Sequence, residues 1–421
     1  MGNGPATLGI DFGTSNSAAG MRIDGSPRLI PMEGGETTLP TAVFFDFDAQ
    51  QVVYGRAAQS ALIGGDEGRY MRALKSLLGT PLMRESRVLL GKRTDFIGIV
   101  GRFLAEVKGR AEKETGQSFT HALSGRPVRF HSADADRNAQ ALVDLRDCYA
   151  AAGFEDVRFM PEPEAAALAN RAVLEPGDLG LIVDIGGGTS DFTLFRQEGQ
   201  DAIQILQSHG IRLGGTDFDK ELSFGQVMPH LGLGHQIKHA FGDKTHEAPV
   251  SIFADLATWQ KIPFLYTRET RKAAADLARY AVDPDVFARL VQVLEDELGH
   301  DIAFAVEAGK IAANDPAATA PPRIKLGIVE KGLEAELPAA LLAASLADMA
   351  AQIAEAGLRT VTDAEYAAED VNRVIFVGGS SLLSVVQDAM RRAFPVAEVH
   401  HGAALTAIAD GLALASSRAF A

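Results

Sequence analysis

The chain has 421 residues, 47% of them hydrophobic and 23% charged, which is ordinary for a globular protein and enough for two to four domains of about 100–200 residues each. Its 40 basic and 55 acidic side chains leave a formal charge of −15. A general binder of nucleic acid or of anionic membranes shows a basic face, so neither class is expected.

The N-terminal MGNGPATLGID has no basic segment and no apolar signal core. Ala6 breaks the myristoylation pattern that Met-Gly would open. No apolar run is expected to reach the ~18 residues of a membrane span. The richest, AALLAASLADMAAQIAEAG, is interrupted by Asp348 and Gln352 and reads as an amphipathic helix. A cytoplasmic protein is expected. The single cysteine, Cys148, has no intrachain partner, so no oxidising compartment is implied. Its setting, VDLRDCYAAAGF, predicts a buried structural thiol on a helix.

The first strand signal is LGIDFGTSNSAAG: an apolar run, Asp11, an apolar residue, Gly13 and Thr14. A mixed segment follows from about 40 to 105, with strands in TAVFFDFD and QVVYG and an amphipathic helix in FIGIVGRFLAEVKGRAEKETG. HALSGRPVRF reads as a strand ending at Pro127. DADRNAQALVDLRDCYAAAGF reads as a helix capped by Asp134 or Asp136. FMPEPEAAALAN then gives a short strand and a helix opened by Glu162-Pro163, where proline's missing N–H costs nothing.

LIVDIGGGTSDFTLF repeats the opening grammar, with Asp184, then Gly186, Gly187, Gly188, Thr189 and Asp191. A β-hairpin with a glycine turn would read this way. So would a phosphate loop, with backbone N–H groups facing a nucleotide and a carboxylate facing its metal. The interval from Asp11 to Asp184 far exceeds the ~20–50-residue period of solenoid repeats and suits two related lobes. HGIRLGGTDFDKEL predicts a glycine turn at Gly214-Gly215 leading into a helix. Residues about 225 to 275 look irregular, carry the only tryptophan, Trp259, and have no histidine spacing suited to a metal. A long helix is predicted over about 285–313, and a hairpin over RIKLGIVEKGLEAELP. In NRVIFVGGSSLLSVVQDAMRRAF a strand breaks at Gly378 and Gly379, and a helix starts near Ser380, a junction that favours anions. His400-His401 are read as a loop pair.

One Asp-φ-Gly-Thr turn (φ apolar) is a weak signal. Two of them, followed in order by a strand-Gly-Gly-Ser-helix turn, resemble the actin/hexokinase/heat-shock ATPase superfamily, and more closely the seventy-kilodalton heat-shock chaperones. LGIDFGTSNSAAG and LIVDIGGGTSDFTLF look like their two phosphate loops, FMPEPEAAALAN like their E-P-x-A-A-A connection, RLGGTDFD like their G-G-x-D-F-D, VIFVGGSS like their adenosine loop, and AVEAGKIAAND like their adenosine-clamping helix. SGRPVRF and RALKSLLG look like the short bacterial YegD-type branch.

The resemblance implies an α/β, actin-like ATPase fold of two lobes, each built on a ribonuclease-H-like mixed sheet with inserted subdomains. Lobe I would span 1–177, with its insertion at about 40–105. Lobe II would span 178–395, with an insertion at about 220–310 and the adenosine loop at 374–382. A C-terminal helix within 396–421 would return to lobe I. The implied cofactors are ATP/ADP and Mg. Asp11 and Asp184 would face the metal, largely through its waters. Gly13, Thr14, Ser15 and Asn16 would hold phosphate oxygens from one side, and Gly186, Gly187, Gly188 and Thr189 from the other, where a Cβ would block the approach. The implied catalytic set is Asp184, Glu162, Thr189, Asp191 and Lys75. Pro127 matches the family's interlobe switch proline, with Arg137 after it. Gly214, Gly215, Gly378, Gly379 and Ser380 would contact the nucleotide, as would Glu307 and Lys310, which share a helix face at i, i+3.

Three positions depart from the family. Its catalytic lysine is replaced by Gln59 in YGRAAQS; Lys75 either substitutes from a nearby loop or is a surface lysine. The two arginines that sandwich the adenine are replaced by Ile311 and Leu382, which removes the cation–π contribution. The chain also stops at Ala421, with no peptide-binding domain after the ATPase region. The expected function is a heat-shock-type nucleotide-binding protein with weak Mg-dependent ATP hydrolysis and a chaperone-like conformational switch read by an unidentified protein partner or client. The alternatives are a pseudo-ATPase scaffold, a small-molecule kinase and an actin-like filament former. A Walker site and a nicotinamide Rossmann site are both absent as motifs.

Overall fold

The computed structural model describes residues 5–131, 134–198, 202–239, 244–402 and 406–420; the Met-Gly start lies outside them. The chain opens with β1 (Thr7–Phe12), β2 (Asn16–Ile23), β3 (Ser26–Leu29) and β4 (Thr38–Pro40). The segment after it holds β5 (Ala42–Asp46), β6 (Gln51–Tyr54), α1 (Arg56–Gly64), β7 (Gly68–Arg72), a hairpin of β8 (Arg87–Leu89) and β9 (Lys92–Thr94), and α2 (Phe96–Thr115). Next come β10 (His121–Arg126), α3 (Ala135–Ala151), β11 (Asp156–Pro161) and α4 (Glu162–Ala169). They lead to β12 (Leu179–Ile185), β13 (Ser190–Glu198), β14 (Ala202–Ile211) and α5 (Gly215–Leu222).

Then follow β15 (Gln236–Lys238), β16 (Thr245–Glu247), α6 (Ser251–Leu256), α7 (Arg268–Tyr280), α8 (Pro284–Glu295), α9 (Gly299–Asn314), β17 (Arg323–Lys325) and β18 (Glu334–Glu336). The chain closes with α10 (Ala339–Thr362), β19 (Arg373–Val377), α11 (Ser384–Ala393), β20 (Glu398–His401) and α12 (Ala407–Ser416).

By contacts the chain divides into two compact units, Met1–Gly215 with Ala350–Ala421, and Thr216–Met349. The first unit holds both large sheets, and the two share one plan. The first sheet runs β3-β2-β1-β10-β11 and the second β14-β13-β12-β19-β20. In each, the first three strands pair antiparallel as a meander, and two further strands add in parallel beside the first. This duplicated ribonuclease-H-like order is the α/β, actin-like ATPase fold. Strands β1 and β12 are buried along their whole length, as central strands covered on both faces must be.

The helix ends follow local chemistry. Asp95 Oδ1 accepts the Gly98 N–H at 2.8 Å, and Asp134 Oδ1 accepts the Arg137 N–H at 2.9 Å, satisfying amides that a helix start leaves open. One apolar cluster includes Leu8, Ile10 and Phe12 of β1, Phe103 and Val107 of α2, and Tyr149 of α3. Another joins Ala165–Ala167 of α4, Ile182, Ile375 and Leu412 of α12. Cys148 is buried, and burial pushes its thiol pKa upward, as a structural cysteine requires.

Several sequence expectations are corrected. The helix predicted over 285–313 is two helices, α8 and α9, because Glu297 takes a left-handed φ of 57° just before Gly299. After β19 a tight turn, Gly379–Leu382, precedes the helix, which starts at Ser384. His400 and His401 belong to the edge strand β20, not a loop, and His401 stacks on Phe376 at 5.7 Å. The described residues of 225–275 include β15, β16, α6 and the start of α7, and Trp259 packs with Ile262 and Ala303. α10 is long and apolar enough to cross a membrane by length and composition, with a mean hydropathy of 1.3 over an 18-residue window. Its buried positions Leu342, Leu346, Ala350, Ile353 and Gly357 nevertheless recur at the helical period, as on a helix with one face in a core.

Candidate functional site: two phosphate-type loops over a buried charge cluster

Both aspartates occupy equivalent places. Asp11 pairs with Ala18 across the β1–β2 hairpin, and Asp184 pairs with Asp191 across β12–β13. Each lies two residues before the glycine that turns its hairpin, so each carboxylate is held at a central strand end. Asp11 is 9% exposed and Asp184 3%.

The two hairpin loops meet. A Cβ on Gly187 would lie 2.8 Å from the Thr14 Cβ and 3.0 Å from the Ser15 Oγ. The β14–α5 loop packs beneath: a Cβ on Gly214 would lie 2.6 Å from the Gly188 nitrogen, and the Gly215 N–H donates to the Gly186 carbonyl at 2.9 Å. Gly378, with φ 81°, brings the loop after β19 against Ile185 and within 2.8 Å of Asp184 Oδ1, measured from its would-be Cβ. Ser380 Oγ occupies the space a Gly215 Cβ would need. These glycines therefore serve first to let loop lie on loop. Gly186 has room on the side a Cβ would take, the nearest atom being at 3.6 Å, whereas a Cβ on Gly188 would press on the Ser76 Oγ at 3.3 Å. Gly379 and Asn16 are exposed, and Ser15 and Gly13 are half-buried.

Beneath the loops the charges converge. Lys75 lies on a short turn, Leu74–Leu77, entered through Ala73 at a left-handed φ of 58°, a conformation that costs energy outside glycine. Its Nζ is 2.5 Å from Glu162 Oε1, and the two side chains are 9% and 6% exposed. Lys75 is thus a buried cation rather than a surface one, while Gln59 sits half-buried on α1. Glu162 is placed by the α4 start, with Pro163 in the first turn and Gly125 of β10 below, whose would-be Cβ lies 3.1 Å from the Glu162 Cγ.

Burial and the Glu162 charge raise the Asp11 pKa to about 7, against the pull of Lys75. Burial, then Glu162, Asp191 and Asp11, raise Asp184 well above the usual carboxylate range. Burial and Glu162 bring Asp191 to about 7, opposed by the Val128 N–H and the Thr189 side chain. Burial pulls the Lys75 pKa down, but Glu162, Asp11 and Asp184 outweigh it and the net shift is upward. Asp191 Oδ1 accepts the Val128 N–H at 2.8 Å, just after Pro127, while its buried Oδ2 has no hydrogen-bond partner of good geometry among the described residues. Arg137 is exposed and pairs with Asp134.

Raised carboxylate pKa values carry a stability consequence. The folded protein holds protons on Asp11 and Asp191 up to about pH 7, whereas the unfolded chain releases them near pH 4. Their contribution is complete below the unfolded value and is lost as pH rises through the folded one. Asp191→Asn is expected to flatten the fall in stability between about pH 5 and about pH 7 by on the order of 1 kcal/mol per pH unit. Melting curves across that range check it; an unchanged slope would contradict the assigned titration.

Sequence reasoning missed two neighbours and, in the second unit, one ion pair. Arg212 and His131 line a small cavity of 20 Å³ with Thr14, Lys75, Gly188 and Thr189, room for about one water. Asp219 pairs with Lys310 at 2.6 Å in the second unit. The second aspartate of T-D-F-D was the available signal for Asp219; nothing local marked His131. Lys310 is buried on α9 and Glu307 half-buried on the same helix. Ile311 and Leu382 are 64% and 46% exposed.

Residues 87–227 match the family described as Hsp70 protein, a stretch that includes Glu162, Asp184, the Gly186–Gly188 turn and the Gly214–Gly215 loop. Together with the duplicated mixed sheet, that match over part of the chain supports an Hsp70-like ATPase domain of the heat-shock nucleotide-binding type.

Proposed function

We propose that the protein binds Mg·ATP at the paired hairpin loops, hydrolyses it slowly, and passes the resulting conformational change to a protein partner, in the manner of a cytoplasmic heat-shock ATPase of the YegD-like branch. The observation that carries this reading is the Lys75–Glu162 pair at 2.5 Å within the Asp11, Asp184 and Asp191 cluster. It restores a buried lysine to a site whose expected lysine position holds Gln59. Phosphoryl transfer depends mainly on positioning and charge stabilisation. Thr14 and Thr189 offer hydroxyls, Gly186 leaves its face open, Glu162 can orient a water, and Lys75 counters developing negative charge.

Burial and mutual repulsion hold protons on Asp11, Asp184 and Asp191, and a cation bound among these carboxylates would displace those protons. Among the described residues no group of three or more His, Cys, Asp or Glu stands ready to grip a metal directly. Strand-end carboxylates such as Asp11 and Asp184 suit Mg²⁺, which keeps most of its waters and takes few protein ligands. Asp11 and Asp184 would hold it through those waters, and it would supply charge neutralisation at the phosphates.

Calorimetric titration with ATP, with and without magnesium, tests the reading. Magnesium-dependent binding together with lost turnover in Asp184→Asn is expected. Unchanged turnover in that variant refutes hydrolysis at this site. Gln59 and the exposed Ile311 and Leu382 favour a second reading, a nucleotide-binding scaffold without turnover. Tight binding with no product formed would select it.

A further inference from the structure

His131 is 8% exposed and touches two segments of the site. Its Nε2 lies 2.7 Å from the Leu78 carbonyl, and its Nδ1 lies 3.1 Å from Arg212 Nη1. A carbonyl only accepts, so Nε2 carries the proton; a guanidinium only donates, so Nδ1 must present its lone pair. One neutral tautomer satisfies both bonds. Gly79 makes room for the ring, since a Cβ there would lie 2.9 Å from Nε2.

Burial is the main reason the His131 pKa is lowered, and Arg212 and Arg137 add to it against the Leu78 hydrogen bond and Asp134. Protonating Nδ1 would set two like charges face to face and release Arg212.

Lys75 is already committed to Glu162. Arg212 has no carboxylate partner among the described residues and stands on the cavity wall with Thr14 and Thr189. Its remaining N–H groups form a fork suited to phosphate oxygens. Resting on the nucleotide reading above, we infer that Arg212 is the specificity-determining cation for a terminal phosphate at the mouth of this cavity and that His131 is the positioning residue that aims it.

The test compares ATP and ADP affinity by calorimetry in the presence of magnesium. Arg212→Gln is expected to weaken ATP about tenfold or more, the worth of a charge-assisted hydrogen bond, and ADP less than about twofold, with an unchanged melting temperature. Arg212→Lys should recover part of the loss. His131→Phe should erode the ATP preference in the same direction. Equal weakening of both nucleotides, or none, overturns the inference.

A pH series separates aiming from mere packing. The wild-type preference for ATP over ADP should fall as pH drops below the ordinary histidine range, because burial lowers the His131 pKa, and more steeply than in Arg212→Gln, because protonation of the nucleotide itself is common to both proteins. Parallel curves overturn the role of His131. Failure of the wild type to bind either nucleotide would sink the underlying reading instead.

Discussion

Lys75→Met is expected to lower ATP turnover by about a hundredfold or more and to destabilise the protein by about 3 kcal/mol. Both effects have one origin. The ammonium is buried against Glu162, and the charges of Asp11 and Asp184 also act on it. Without it, Glu162 is left as a buried charge with no counterion, and breaking a buried pair costs more than the pair itself contributes. The neighbouring carboxylates would then take up protons at higher pH.

A double variant separates the two losses. Lys75→Met with Glu162→Gln removes the stranded charge and should recover most of the stability, yet no turnover. Steady-state phosphate release and denaturant unfolding on the three proteins decide the matter. Retained turnover in Lys75→Met would remove lysine from the chemistry. Unchanged stability would mean that Glu162 finds another partner.

Gly411→Ala is expected to cost about 3 kcal/mol, at the upper end of overpacking. α12 packs against α4, β1, β2 and β3. A Cβ on Gly411 would overlap the Ala165 carbonyl, and a Cβ on Gly9 would come within 2.8 Å of the Leu412 backbone. The helix is therefore wedged between a strand that carries Asp11 and a helix that begins with Glu162. Backbone on both sides cannot yield as a flexible side chain would, so the added methyl must displace α12 itself.

Gly109→Ala is the control. Gly109 lies within α2 with nothing within 4 Å of its would-be Cβ, so alanine there should stabilise by about 0.5–1 kcal/mol through helix propensity. Denaturant midpoints for the two variants should move in opposite directions. A neutral Gly411→Ala would show that α12 is not held as tightly as the backbone contact requires.

What the sequence determined alone was local. Asp11-Phe12-Gly13 and Asp184-Ile185-Gly186 announce two hairpins because a strand that must turn under close backbone approach discards its side chains. Asp134 announces a helix start because a carboxylate satisfies open amides within a few residues. The order of motifs was enough to suggest two related lobes.

What only the tertiary structure decided was partnership across distance. Gln59 occupies the expected lysine position, and nothing within RALKSLLG indicates that its lysine folds inward. Glu162 became its counterion because the Leu74–Leu77 turn and the α4 start converge in the first unit. Nor could local pattern show that Gly187 and Gly214 serve loop-on-loop packing, that His131 bridges Leu78 and Arg212, or that Glu297 breaks a long helical run. Turn and cap preferences act over a few residues, whereas the burial of a charge and the choice of its counterion depend on which distant segments the fold encloses together.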